Sequence, residues 1–343
     1  MRYERITSMA TSPFHAAFCI FLKILLLAPI AVAQEPQNLD TISIDTNLIS
    51  VPVIVSDRDN RYVPNLKVEL FRLFDNQLEQ KISFFDAGEE PLNVVVMLDT
   101  SLSTSDVLDD IRKAAKSFVK ELRPEDRAMI VTFDWQTQKL SSLTSNRKEL
   151  EQAVKHTKTG KHVGTVLNDA LIQVTREVLQ PIRGRKAIVL LSDGEDHGSN
   201  VELPELIRAE SEADAMIYSI YYQPLMRRIW DNWRQRARRH GWPFHHASPQ
   251  RPGGRRGGMR QQRAEMGMEV MAQLAEVTGG RFYQGETKNL KDTFALIAEE
   301  LRHQYRLGFY PIDLLRNGSI HALQVKVDLP NVSVRSRREY LAK

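Results

Sequence analysis

Val94-Val95-Val96-Met97-Leu98-Asp99-Thr100-Ser101-Leu102-Ser103 is the stretch that decides how the rest of the chain is read. Five consecutive apolar residues are too few for a core helix and lack the alternation of a half-wetted strand. A run of that length is a strand covered on both faces, as in a mostly parallel sheet. It stops abruptly at a carboxylate followed by two hydroxyls on alternate positions. Beyond it, Val107, Leu108, Ile111, Ala115, Phe118, Val119 and Leu122 recur at helical spacing, with Ser and Thr upstream as candidate caps.

The alternation of strand and helix continues. Ala128–Phe133, Ala187–Leu191 and Ala215–Tyr221 read as strands; Val166–Leu179, Pro204–Ala213, Met268–Thr278 and Leu290–Arg302 read as helices. Strands separated by helices specify an α/β domain, here a doubly wound, mostly parallel sheet of Rossmann-like type over residues 90–303. On either side the pattern changes. Residues 40–86 hold runs such as Val51-Pro52-Val53-Ile54-Val55, Lys67–Phe71 and Lys81–Phe85, separated by turn clusters such as Asp57-Arg58-Asp59-Asn60, and no helix. Tyr305–Tyr310, Ile320–Asp328 and Val332–Arg337 alternate in the same way around Asn317-Gly318 and Pro330-Asn331. An isolated hairpin is marginal in water. Segments 34–89 and 304–343 are therefore expected to pack together as one small antiparallel β module framing the α/β domain.

The 343 residues are 42% hydrophobic and 26% charged, the balance of a folded globular chain rather than a disordered or multi-span membrane one. A single cysteine, Cys19, excludes a disulfide scaffold and any paired-cysteine zinc or redox centre. The formal net charge of +4 conceals an uneven distribution. Residues 223–263 contain eleven arginines and one acid, Asp231, so the remainder is acidic. Residues 1–33 have the form of an export signal: Arg2 and Arg5, then the apolar Ile24-Leu25-Leu26-Leu27-Ala28, then the small-residue pattern Ala31-Val32-Ala33. We expect cleavage after Ala33 and an exported, periplasmic or secreted product, with an uncleaved membrane anchor as the alternative. Lys23 and Pro29 interrupt the run an anchor needs, and no later stretch is apolar for long enough to span a membrane.

In an open α/β sheet, ligands bind at the carboxyl ends of the strands. Asp99, Ser101 and Ser103 lie there, and two later loops on the same edge bring further oxygens: Gly164-Thr165 and Ser192-Asp193-Gly194. Carboxylates and hydroxyls are hard, all-oxygen donors that suit Mg²⁺ or Mn²⁺ rather than zinc. Each piece alone is also what a helix N-cap looks like; the ordered set on successive strand ends is more specific. Asp169, one turn into the Val166 helix, would either hydrogen-bond the site loops or serve the helix N-terminus, and Glu195 and Asp196 would widen the acidic rim or bind a second ion.

Asp-Thr-Ser-Leu-Ser, Gly-Thr before a helix and Ser-Asp-Gly after a strand together resemble the metal-ion-dependent adhesion site of von Willebrand factor type A domains. Asp99, Ser101 and Ser103 match its first loop, Thr165 its second and Asp193 its third. The resemblance implies that the hydroxyls hold Mg²⁺ (or Mn²⁺) directly or nearly so and the aspartates act largely through water. It also implies that a carboxylate of the partner completes the shell and that loop rearrangement couples the site to the last helix. Val51–Asp59, Leu274–Tyr283 and Tyr305–Pro311 are similar to segments of an exported, acidobacterial group of von Willebrand factor A-related proteins, so that the resemblance spans most of residues 40–340.

Within residues 223–263, Arg227, Arg228, Trp230, Trp233, Arg234, Arg238 and Arg239 interleave guanidinium and indole, the composition of an anionic-surface or nucleic-acid contact; docking of an acidic partner and a solvated insertion without a role are the other readings. Met226–Arg239 fits a basic amphipathic helix; Pro252–Gly258 is expected to be disordered. His240, His245 and His246 are either polar loop or a soft-metal cluster. Export argues against nucleic acid as the partner. Enzyme signatures are absent from the sequence: there is no nucleophile elbow, phosphate-binding loop or HExxH motif. Ser101 stands where an aspartyl-phosphate phosphatase needs a second Asp. The expected function is thus a non-enzymatic adhesion-type module that binds a protein ligand presenting Asp or Glu. Envelope anchoring through the basic insert, or Mg²⁺-dependent hydrolysis, are the alternatives.

Overall fold

A computed structural model of the chain describes residues 48–59, 61–162, 164–222, 254–285, 289–312 and 318–342. The expected export signal, the arginine- and tryptophan-rich residues from Arg227 to Arg239, His240, His245, His246 and Asn317 lie outside the described residues.

Strand β1 (Ile49–Asp57) is buried over its middle six residues. Val51, Val53 and Val55 point into one core while Ile54 points into another, so both faces are covered. A 3₁₀ turn at Val68–Leu70 leads into β2 (Phe71–Asp75), followed by β3 (Leu78–Gln80) and β4 (Ile82–Asp86). The strand expected at Lys67–Phe71 therefore starts later. Phe71 and Leu73 are the residues that reach the core, and Val68–Leu70 buries none.

The α/β domain follows. Strand β5 (Leu92–Asp99) is buried at every position. Val94, Val96 and Leu98 enter the core on one face; Val95 and Met97 enter the core on the other, which is the period of two written as a continuous apolar run. Then come α1 (Leu108–Glu121), β6 (Arg127–Phe133), β7 (Thr137–Lys139), α2 (Arg147–His156) and α3 (Leu167–Val174), the last continued by a π-helical turn at Thr175–Leu179. Next are β8 (Arg185–Ser192), α4 (Leu203–Glu212), β9 (Met216–Tyr222), α5 (Gly254–Thr278), β10 (Arg281–Gly285) and α6 (Leu290–Arg302). The sheet order is β10-β9-β8-β5-β6-β7, parallel except for β7. Helices α1, α2 and α6 cover one face; α3, α4 and α5 cover the other. That is the doubly wound architecture, with helices on both faces of a mostly parallel sheet.

Strands β11 (Tyr305–Phe309), β12 (Ile320–Val327), β13 (Val332–Ser336) and β14 (Glu339–Leu341) return to the N-terminal strands. Two four-stranded antiparallel sheets result, β13-β1-β11-β4 and β14-β12-β2-β3, each mixing strands from the two ends of the chain. Val51, Val53, Leu73, Leu307, Phe309 and Leu323 form the core between them.

Three expectations are corrected. Helix α1 has no Ser or Thr side-chain cap; Val107 sits at its N-cap position, after a 3₁₀ turn at Leu102–Thr104. Helix α2 was not anticipated, although Asn146 caps it by accepting hydrogen bonds from the amides of Lys148 and Glu149. Gly254–Gly258, expected to be disordered, is helical in α5. Extending a helix costs far less than starting one, and α5 is anchored downstream by buried Met271, Leu274 and Ala275.

Candidate metal site at the carboxyl edge

The site grows from the end of β5. Asp99 is fully buried, and both of its oxygens are committed: Oδ1 accepts the Ser101 amide at 2.9 Å and Oδ2 accepts the Ser192 hydroxyl at 2.7 Å. The short loop after Asp99 turns the two remaining hydroxyls toward each other, with Ser101 Oγ and Ser103 Oγ 2.9 Å apart. Thr104 closes the turn by donating its hydroxyl to the Ser101 carbonyl at 2.7 Å. None of these hydroxyls caps α1, so the local chemistry is spent on the loop and not on the helix.

The third loop approaches from β8. Ser192, its last residue, bonds Asp99, and the Gly194 amide donates back to Ser192 Oγ at 3.0 Å. Asp193 is 5% exposed; it accepts the Glu195 amide at 3.2 Å and a hydrogen bond from the Ser103 hydroxyl. Gly194 has φ +70°, a conformation that favours glycine, and its backbone lies directly against Gly267 of α5. Thr165, also buried, is tied to this loop through its carbonyl, which accepts the His197 amide at 2.8 Å. Asp99, Ser101, Ser103 and Asp193 are thus one cluster, and Thr165 joins it through backbone.

Two buried carboxylates side by side repel. Burial, and then the charge of Asp193, pushes the Asp99 carboxyl up to about 7, against the hydrogen bonds from Ser101 and Ser192. Burial likewise raises Asp193, opposed by Ser103, the Glu195 amide and His197. Among the described residues no lysine or arginine forms an ion pair with either. Tyr222, at the end of β9, adds a third polar group: its buried hydroxyl faces Asp99, Asp193 and Ser103 without a well-formed hydrogen bond. A cation held by hydroxyls would relieve both features, so the donor set fits a hard divalent ion. Among the described residues no three His, Cys, Asp or Glu side chains gather as a metal cluster.

The neighbouring acids have structural duties. Asp169 accepts hydrogen bonds from the amides of Asn200 and Val201, at 3.0 and 2.9 Å. Asp196 caps α3 through the Asn168 amide at 3.2 Å and holds the Ser199 hydroxyl at 2.6 Å; Glu195 pairs with His197 at 2.9 Å. Together they order the loop after β8. Sequence reasoning placed Ser192 on this edge but not its hydrogen bond to Asp99, and it missed Tyr222 as a member of the site. Their signal was position alone, the last residues of strands adjoining β5 and β8.

The domain belongs to the class of open α/β folds that carry a binding site where their parallel strands end. Residues 93–228 match the family model described as von Willebrand factor type A domain, and the chain carries that domain. Domains of this family are in general non-catalytic interaction modules and often hold a divalent metal at this edge. A comparison with curated protein sequences found no match. Among solved structures, the chain is similar to proximal thread matrix protein 1 from the mussel byssus, with 11% identity and a TM-score of 0.43. That match covers 61% of this chain and 48% of the mussel protein, so the chain spans about half of the mussel protein's length. It is also similar to an aerotolerance-related membrane protein from Bacteroides fragilis (15% identity, 62% of this chain and 98% of that one, TM-score 0.43). The vWF domain of the type V pili tip protein Mfa5 from Porphyromonas gingivalis gives 13% identity, 61% and 94% coverage and a TM-score of 0.43.

Proposed function

We propose that this chain is an exported, non-enzymatic binding protein that captures an acidic side chain of a protein partner through a Mg²⁺- or Mn²⁺-dependent site. Asp99, Ser101, Ser103, Thr165 and Asp193 would hold the ion. The observation that carries the reading is the pair of buried carboxylates, Asp99 and Asp193, with hydroxyls packed against them and no lysine or arginine paired to either among the described residues. A bound divalent ion would supply an electrophilic centre for one further oxygen ligand. The chain's own residues set that up. Ser101 and Ser103 present neutral donors, which leave the ion's charge largely uncancelled. Asp99 accepts one hydrogen bond at each oxygen, from Ser101 and Ser192, which fixes the orientation of its carboxylate and of the loop while each oxygen keeps a lone pair toward the ion or its waters. Among the described residues no helix is long and apolar enough to cross a membrane, and export rests on the sequence of residues 1–33.

The test is calorimetric titration of Mg²⁺ and Mn²⁺ into the wild type, Asp99→Ala and Ser103→Ala. Saturable binding by the wild type that both folded variants lose is expected; no binding, or equal binding in all three, overturns the reading. Partner capture should then disappear with a chelator.

A second reading, retention on an anionic envelope surface, rests on the eleven arginines of residues 223–263. Because α5 starts at Gly254 and its later residues are core, the discriminating deletion is 226–253. Capture that survives it supports the adhesion reading, and loss of surface retention supports anchoring.

A further inference from the structure

At the other end of the sheet, a cavity of about 300 Å³ lies between the start of β1, the π-helical turn after α3, the end of α4 and the C-terminal strands. It is separate from the metal site. Lys186 lines it from the second position of β8, and Ser192 ends the same strand, roughly 20 Å away at the rise of an extended chain.

Its charges do not balance. Arg337 is 3% exposed and lines the cavity; Nη1 reaches the Glu212 carbonyl at 3.2 Å, and Nε, fully buried, meets no acceptor among the described residues. The guanidinium stands 5.9 Å from the Tyr340 ring, a contact that does not cancel its charge. The other ionised groups at the wall are paired elsewhere: Lys186 with Asp214, Arg176 with Glu205 and Glu212 with Arg208. Tyr340 donates its hydroxyl to Asp75 at 2.7 Å. Glu210, behind Thr175, is held neutral by burial up to about pH 8. One guanidinium is left over. Burial draws it down to about 10, with Asp214 pulling the other way. Ser50 adds a buried hydroxyl without a partner among the described residues.

The rest of the wall is apolar, including Leu48, Ile172, Leu179 and Leu341. Burying a guanidinium without a counter-charge, and with its Nε unbonded, is unfavourable unless something supplies the missing charge and hydrogen bond. One uncompensated cation calls for one negative charge. A doubly charged phosphate would exceed that single charge, and the apolar wall suits a hydrocarbon body. Pockets of this volume lie at the small end of those that hold ligands. We propose that this cavity is a binding site for a small organic monocarboxylate, recognised by Arg337 and Ser50 with its apolar body against Leu48, Ile172 and Leu179.

The probe is hexanoate, titrated calorimetrically into the full chain without added metal, beside hexanamide and inorganic phosphate. Saturable hexanoate binding is expected, at least tenfold tighter than either of the others. Arg337→Gln should weaken it at least tenfold. Ala209→Leu, which fills the cavity and leaves the arginine in place, should do the same with unchanged circular dichroism. The amide comparison decides the matter on the wild type alone if Arg337→Gln does not fold. No saturable hexanoate binding, equal binding of hexanoate and hexanamide, tighter binding of phosphate, or undiminished binding in folded Ala209→Leu would each overturn the proposal.

Discussion

Gly194 and Gly267 touch backbone to backbone: a Cβ on Gly194 would lie 2.2 Å from the Gly267 carbonyl oxygen, and one on Gly267 would lie 2.6 Å from the Asp193 carbonyl oxygen. The loop that carries Asp193 therefore rests on α5 with no side chain between them. Helix α5 also begins within the basic stretch of residues 223–263, so whatever moves its first turns bears on the metal-site loop.

Gly267→Ala tests this contact. In an isolated helix the change is favourable by roughly 1 kcal/mol. Here the new methyl must displace backbone on both sides, and the loop is the less constrained partner. We expect Mg²⁺ affinity to fall at least tenfold by calorimetry although Gly267 offers the ion no donor. Glu269→Ala, at an exposed position two residues further along the helix, serves as the control and should bind as the wild type does.

Tyr222→Phe addresses the hydroxyl over the carboxylates, which has no well-formed hydrogen bond among the described residues. A buried polar group left without a hydrogen bond costs about 1–3 kcal/mol. Without metal, the phenylalanine variant should be at least as stable as the wild type, with a gain of roughly 1 kcal/mol in urea denaturation. A loss of that size would mean that the hydroxyl is well satisfied in the folded protein.

Much of this was legible before the structure, and the reasons are physical. The β5 run could only be a strand buried on both faces, and α6, with three regularly spaced turns of apolar residues, begins and ends at Leu290 and Arg302 as its pattern predicts. What escaped were elements whose stability comes from neighbours: β7 and β14, three residues each at sheet edges, and β10, whose Arg281–Gly285 is only half-buried and is ordered by pairing with β9. The Asp99, Ser101 and Ser103 pattern survives in sequence because the three fall within one loop. The roles of Ser192 and Tyr222 do not, since they arise only when β8 and β9 align beside β5. Asp169 and Asp196 looked like site residues for the same reason that they make good loop staples: short carboxylates accept backbone amides.

Glu300 joins the β module to the α/β domain. Fully buried on α6, it meets Arg335 of β13, Arg281 of β10 at 3.6 Å and the Tyr62 hydroxyl at 3.1 Å. Removing one partner of a buried pair strands the other charge, which typically costs about 3–5 kcal/mol, whereas replacing both is far cheaper. Glu300→Ala should lose stability on that scale in urea denaturation. The double variant Glu300→Met with Arg335→Met should lose clearly less than the two single variants added together.

Glu210 sets a pH dependence. It is fully buried on α4, and the Thr175 hydroxyl, 2.9 Å away, is its hydrogen-bond donor. Burial raises its carboxyl to about 8, only partly opposed by Thr175 and the charge of Arg176. The folded state thus keeps a proton that the unfolded chain releases near pH 4.5. The stability tied to this proton is fully present below the unfolded value and is lost as pH rises toward about 8, with a slope of roughly 1 kcal/mol per unit. Glu210→Gln keeps the shape and a neutral partner for Thr175 while removing the titration. Wild type and variant should unfold alike in urea near pH 4, and the variant should be the more stable by an increasing margin from pH 5 to 8. Parallel curves across that range would show that Glu210 titrates normally in the folded protein.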